Sequence, residues 1–311
     1  MATDNPESSP STAAGGSPGA RLRAALNSPP LLVPGVFNAL SARMAERAGF
    51  RAGYLSGAAF SAGVAALPDI GLMTQTEFAD QARLLTAAVE MPIIADADTG
   101  FGEPLAVERT VRLYEVAGVA AIQLEDQQMP KRCGHLTGKI LVPVEEMVRR
   151  VQAAAGARRS ADFMIIARTD ARSVEGFEAS VERGLAYLEA GADMLFPEAM
   201  ETAEEFARYA EMTSPAGAPL IANMTEFGRS PLLTADELGA MGYRAVLYPV
   251  TLLRLAMKAV EQGLQSLRAE GTQASLLEQM QTRAELYELL DYAGYEARDR
   301  EYFGCRPEEG G

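Results

Sequence analysis

The chain has 311 residues, and its 28 lysines and arginines against 42 aspartates and glutamates give a formal net charge of −14. That balance excludes a nucleic-acid binder, which needs cations against phosphate, but leaves a small anionic substrate open, because a few local arginines and a cation suffice. A hydrophobic fraction of 48% supports a large globular core, and two cysteines, Cys133 and Cys305, are no disulfide framework, so a reducing compartment is expected.

Residues 1–20, MATDNPESSPSTAAGGSPGA, lack the basic start and apolar stretch of a signal peptide. Their Ser, Pro, Gly and Ala content predicts a disordered leader. No later segment approaches the roughly 18 apolar residues of a spanning helix, so no membrane contact and a cytoplasmic location are expected. From Leu31 onward, compact apolar runs alternate with longer amphipathic ones. The strand candidates are LLVPGVF from Leu31, AGYLSG from Ala52, PIIADAD from Pro92 and AAIQLED from Ala120. FMIIARTD from Phe163, ADMLFPE from Ala192, APLIANM from Ala218 and RAVLYPV from Arg244 follow. Runs of this kind suit strands buried on both faces of a parallel sheet.

Helical patterns lie between them. TQTEFADQARLLTAAV has Thr74 as N-cap with Glu77 three residues on, a capping box, and places Phe78, Ala82, Leu85 and Val89 on one face. EPLAVERTVRLYEVAG opens with Pro104 and stops at Gly118. Strand–helix alternation over residues 21–265 predicts a (β/α)₈ barrel. An open doubly wound sheet shares the alternation, but no GxGxxG follows the first strand. Residues 266–311 read as a helical extension, in which Leu277, Met280, Ala284 and Tyr287 recur at helical spacing. Its apolar side packs on a partner subunit or back on its own barrel.

A barrel carries its chemistry at the C-terminal ends of its strands. Those ends hold Tyr54 and Ser56, Asp96 and Asp98, Glu125 and Asp126, Arg168 and Asp170, Glu198, Asn223 with Thr225, and Tyr248 with Arg254 close behind. Period two puts Asp96 and Asp98 on one side of a strand, where two like charges need a cation or a shared proton. With Asp69 and Glu125 the set is all oxygen, which suits Mg²⁺ or Mn²⁺ and not zinc. The alternative is a DAD that caps the next turn. The loop KRCGH, residues 131–135, holds the chain's single histidine. Lys131, Arg132 and His135 would make an electropositive setting that draws the Cys133 thiol towards titration near neutrality. Such a thiol can exchange protons with a reacting carbon, and the Pro and Gly context suits a mobile lid. A structural thiol in a basic loop is the plainer reading.

The ordered motifs YLSG, LPDIG, DADTGFG, EDQ, KRCGH, ARTDA, MLFPEA, NMTEFG, LYP and MQTRAELYE, spread from Leu31 to Tyr295, resemble the isocitrate lyase/phosphoenolpyruvate mutase superfamily. Within it the likeness is greatest to the prokaryotic 2-methylisocitrate lyases. The resemblance implies a homotetramer with an exchanged C-terminal helix, and Mg²⁺-dependent retro-aldol cleavage of 2-methylisocitrate to pyruvate and succinate. It also implies metal carboxylates at Asp96 and Asp98, supported by Asp69 and Glu125. Substrate contacts are implied at Ser56, Gly57, Ala58, Cys133, Gly134, Arg168, Glu198, Asn223, Met224, Thr225, Arg254 and Arg283. Ala58 stands where the family more often has glycine. Cys133 would be the general acid, Tyr54 or Glu198 the base, and Arg168 would hold the departing succinate. Related activities are 2,3-dimethylmalate lyase, oxaloacetate acetylhydrolase and phosphonomutase.

Overall fold

The computed structural model describes residues 16–28, 30–135 and 138–304. Most of the expected leader, and Cys305, lie outside them. Eight short strands alternate with helices. β1 (Leu31–Pro34) leads through α2 (Ala39–Arg47), after a first helix α1 (Pro18–Leu26), to β2 (Gly53–Leu55). α3 (Gly57–Ala65) and α4 (Gln75–Thr86) precede β3 (Ile93–Asp96), and α5 (Pro104–Val116) precedes β4 (Ala121–Glu125). Then come α6 (Val144–Ala157), β5 (Met164–Thr169), α7 (Phe177–Glu189), β6 (Met194–Pro197), α8 (Ala203–Thr213) and β7 (Ile221–Asn223). α9 (Ala235–Ala240), β8 (Ala245–Tyr248), α10 (Thr251–Glu270), α11 (Arg283–Leu289) and α12 (Tyr292–Phe303) complete the chain.

All strand pairs are parallel, in the orders β2-β3-β4-β5-β6 and β1-β8-β7. Single parallel bridges from Gly35 to Tyr54 and from Leu195 to Leu220 join these two arcs, which closes the barrel. Each strand alternates its side chains between two cores. Val33, Ile94, Ala121, Ile166, Met194, Ile221 and Ala245 fill the interior, while Ile93, Ala95, Ile122, Ile165, Leu195, Ala222 and Val246 face the helices. The interior parity continues up the strands to Tyr54, Asp96, Gln123, Glu125, Arg168, Glu198 and Asn223. Elementary pleating therefore delivers these polar groups to one mouth.

Three boundaries differ from expectation. Residues 18–20 belong to α1, not to a leader: Ser17 Oγ accepts the Ala20 amide at 3.1 Å and Pro18 starts the first turn. The helix is worth forming because Leu22 and Leu26 join the interior core, at about 1.5–3 kcal/mol for each buried side chain. α10 runs unbroken past residue 265 to Glu270. The C-terminal pattern read as one helix is a 3₁₀ segment, Ala274–Gln279, followed by α11. Thr282 and Glu285 form a capping box there, which starts a new helix between Met280 and Ala284. The capping box at Thr74 and Glu77 forms as expected. α11 rests on α2, with Arg43 Nη1 donating to the Leu289 carbonyl at 3.2 Å. Leu255, Val260 and Leu264 of α10, and Tyr295, Tyr302 and Phe303 of α12, remain exposed.

Candidate active site

The carboxylates at the end of β3 meet by a route other than strand pleating. β3 stops at Asp96, and Asp98 takes a left-handed backbone, φ 46°, a conformation that non-glycine residues hold at a cost and mostly at functional turns. Asp96 Oδ1 accepts the Asp98 amide at 3.0 Å, and its Oδ2 accepts the Gly57 amide at 3.1 Å. A Cβ on Gly57 would lie 2.6 Å from that oxygen, so only glycine lets the start of α3 come this close. Lys131 pairs with Asp69 and, at 2.9 Å, with Asp98.

Burial, followed by the pull of Lys131 and the repulsion of Asp96 and Asp69, leaves the Asp98 carboxyl raised to about 7. Burial also raises Asp96, and pushes Glu125 well up despite Arg168. The Lys131 ammonium is held well above its ordinary range, because four carboxylates outweigh its burial. Asp69, Asp96, Asp98, Glu125, Asp170 and Glu198 thus stand against Lys131, Lys139 and Arg168, six acids to three cations. Glu125 Oε1 is buried with no hydrogen-bond partner. An excess of oxygen anions with an orphaned acceptor fits a hard divalent cation. Among the described residues no three ligating side chains converge on one point.

Arg168 at the end of β5 is the second centre. Its Nε and Nη2 donate to Asp170 at 3.0 and 3.1 Å, and its Nη1 lies 3.2 Å from Glu198 Oε2 and 3.5 Å from Glu125 Oε2. Although burial opposes it, Arg168 and His135 hold the Glu198 carboxyl far below its usual range. His135 Nδ1 accepts the Arg229 amide at 3.0 Å, so its ring proton sits on Nε2, 2.9 Å from Glu198 Oε1. Asn223 Nδ2 donates to both Glu198 oxygens, at 3.3 and 3.2 Å. Tyr54 donates to Gln123 Oε1 at 2.8 Å, and burial together with Asp96 keeps its phenol protonated far above the ordinary range.

Residues 131–135 close over this mouth. A Cβ on Gly134 would lie 2.6 Å from Glu198 Cδ, so the lid rests directly on the pair Arg168–Glu198. The remaining cavity, about 110 Å³, is lined by Tyr54, Ser56, Ala58, Asp69, Asp96, Cys133, Arg168, Glu198, Asn223, Thr225 and Arg254 among others. That is small beside the ~300–1,000 Å³ of ordinary ligand sites, because residues 131–135 occupy the mouth. A larger cavity of about 570 Å³ lies at the opposite mouth, bordered by Arg23, Asp193 and Arg244, away from the strand ends that bear chemistry.

The thiol reverses expectation. The Cys133 thiol is raised, first by burial and then by Glu198, against a His135 backbone N–H that lowers it. The loop's basic side chains face elsewhere: the Lys131 ammonium pairs with Asp69 and Asp98, and the His135 ring turns Nε2 to Glu198. Two other residues expected at the substrate do not line the cavity of a single subunit. Met224 faces the helix layer, its Sδ accepting the Leu233 amide at 3.4 Å, since its parity is opposite to that of Asn223. Arg283 opens α11 and is exposed, so a single subunit does not bring it to the cavity. Arg254 reaches the rim, 3.4 Å from Glu226 and stacked over Phe227. Gln123 and Lys139 escaped the sequence reading. Gln123 could have been found, two residues before Glu125 on the same strand face.

The profile of the phosphoenolpyruvate phosphomutase family matches residues 22–268. The 2-methylisocitrate lyase of Aeropyrum pernix is 52% identical over 285 residues, covering 91% of each chain. Among solved structures, a 2,3-dimethylmalate lyase superposes with a TM-score of 0.87 at 36% identity, over 96% of this chain and 99% of its own. A phosphonopyruvate hydrolase in complex with oxalate and Mg²⁺ gives 0.83 at 32% identity, over 92% and 99%. The matched stretch runs from inside α1 almost to the end of α10 and contains every strand whose end builds the mouth. The chain belongs to the phosphoenolpyruvate mutase/isocitrate lyase superfamily.

Proposed function

We propose that this protein is a Mg²⁺-dependent carbon–carbon lyase that cleaves 2-methylisocitrate to pyruvate and succinate. The observation that carries this reading is the identity of about half of all positions, over nine-tenths of both chains, with a 2-methylisocitrate lyase. The site supplies compatible chemistry. Asp96 and Asp98 would hold the cation directly, with Asp69 and Glu125 acting through water. When bound, the ion polarises the hydroxyl and carboxylate oxygens of the future pyruvate half. Of the two expected bases, the Tyr54 phenol keeps its proton and donates it to Gln123, so the ionised Glu198 takes the substrate hydroxyl proton in this proposal. Arg168 binds the departing succinate while its charge develops, and Cys133, kept protonated by burial, gives its proton to the new carbanion. The closed lid excludes the water that would compete.

Purified protein mixed with 2-methylisocitrate and Mg²⁺ should release pyruvate, followed by coupled lactate dehydrogenase, in step with succinate. Chelation should stop it. Turnover of 2,3-dimethylmalate or oxaloacetate with no pyruvate from 2-methylisocitrate would replace this substrate assignment.

The cation should also be visible without turnover. Stripped protein should unfold at a higher temperature once Mg²⁺ is added, because the ion relieves carboxylates that burial disfavours. At about 100 times its Kd a ligand adds about 2.7 kcal/mol, or roughly 5 °C for a chain of this size. Calorimetry of the wild type and of D96N checks it, with no shift expected in the variant. Superimposable wild-type traces would argue against a cation at these carboxylates.

We also propose a cytoplasmic homotetramer in which the extension beyond α10 is exchanged between subunits. The exposed apolar residues of α10 and α12, and the position of Arg283 outside its own cavity, support that arrangement. Among the described residues no helix is long and apolar enough to cross a membrane.

A further inference from the structure

Lys139 follows the 131–135 loop in sequence, and none of the steps above uses it. Its side chain is only 1% exposed, and a buried ammonium is costly unless its donors are met. The Gly134 carbonyl accepts one hydrogen bond from it, and Asp170 Oδ1 another at 2.8 Å. Arg168 grips the same carboxylate through Nε and Nη2, and Asp126 Oδ1 holds the Asp170 amide at 2.9 Å. One fixed carboxylate therefore joins the lid to the arginine beneath it.

The geometry of the lid peptide gives this contact its meaning. The Gly134 carbonyl and the His135 N–H belong to one planar trans peptide unit and point in opposite directions. Lys139 holds the oxygen, and the N–H on the other side addresses Cys133 Sγ. Rotation of that plane would turn the donor away from the sulfur. A cation on the carbonyl also polarises the unit, which strengthens the N–H as a donor. When Cys133 has given up its proton, this N–H is the group placed to receive the thiolate.

We propose that Lys139 is a positioning residue for proton donation: it fixes the Gly134–His135 peptide so that the N–H faces the Cys133 thiol, and Asp170 ties that setting to Arg168. The proposal rests on the reading of Cys133 as the proton donor. In K139M the side chains facing the thiol, Glu198, Arg168 and Asp69, keep their identity, but Asp170 and Glu198 lose the lysine's charge along with the Gly134 contact, which is why the charge-keeping K139R is the necessary companion.

The test uses two readouts. The first is the pH profile of Cys133 alkylation by iodoacetamide, mapped to that residue by mass spectrometry so that Cys305 does not interfere. Its midpoint should rise by about one pH unit in K139M, as loss of a hydrogen bond to the charged form demands. The second is steady-state turnover: kcat should fall by about a hundredfold, as for a reacting group displaced by about 1 Å, with KM within about threefold on that reasoning. K139R, which keeps a cation at the carbonyl, should recover most of both. Should K139M not fold by circular dichroism, K139Q carries the same criteria. An alkylation profile that superposes on the wild type, or a change in KM alone, overturns the proposal. Alkylation needs no substrate, so failure to cleave 2-methylisocitrate would remove the functional reading and leave this test standing.

Discussion

Replacing Cys133 by serine should lower kcat by about 10²–10⁴-fold, the usual worth of a positioned general acid, and leave succinate affinity nearly unchanged. The thiol belongs to the loop that covers the cavity, within the fields of Glu198 and Arg168, and burial keeps its proton on at neutral pH. Serine fills nearly the same space but is a much weaker acid, so the carbanion left by bond cleavage would wait for a proton. The groups proposed to hold the diacid, Arg168 and Asn223, and the carboxylates proposed for the cation, are untouched. Steady-state kinetics and calorimetric titration with succinate separate the two effects. Near-normal turnover in C133S would remove Cys133 from the chemistry. Weak succinate binding with normal folding would instead make the residue part of the binding surface.

The second large effect is expected on stability. Arg168→Met should cost about 3–5 kcal/mol, the usual consequence of leaving buried charges without their partner. Glu198, Asp170 and Glu125 would all lose the same guanidinium. The pH dependence identifies the cause. In the wild type, Glu198 and Asp170 are held below the ordinary carboxylate range, burial notwithstanding, by Arg168 with help from His135 and Lys139 respectively. A depressed folded-state value contributes stability that is present above the unfolded value of about 4 and lost as pH falls through the folded value. Without Arg168 these carboxyls take up protons more readily in the folded state than in the unfolded chain. The variant's deficit should therefore be largest near pH 8 and narrow towards pH 5. Urea unfolding of both proteins at the two pH values measures it. A deficit that does not vary with pH would mean lost packing on Phe196, over which the guanidinium lies at 5.3 Å, and not lost charge pairing.

How much of this was legible in the chain itself depends on the distance over which each feature is decided. The eight strands were readable because each is a contiguous apolar run; their alternation with helices favoured a barrel over an open sheet, and the bridges Gly35–Tyr54 and Leu195–Leu220 supply the closure. The cap at Thr74 was readable because donor and acceptor are three residues apart. The polar groups at the mouth were readable because pleating carries one parity from the filled interior to the strand ends. The same rule, followed one step further, would have turned Met224 outward and found Gln123. The capping box at Thr282 was equally local, and only the apolar spacing on either side of it concealed the break.

Other features had no local signal. The left-handed turn at Asp98 depends on an amide that Asp96 captures and on the close approach of Gly57, 39 residues from Asp96. KRCGH reads as a basic setting for its thiol, yet Lys131 spends its charge on Asp69, 62 residues away, and Lys139 on Asp170, 31 residues away. The thiol is consequently raised by burial where composition suggested that it would be lowered. Sequence determined the barrel, its polar mouth and the residue types available for chemistry, because these follow from short-range periodicity and capping. Only the tertiary structure decided which charge meets which and how dry each becomes, because pairing and desolvation are set by residues that the fold brings together from distant strands.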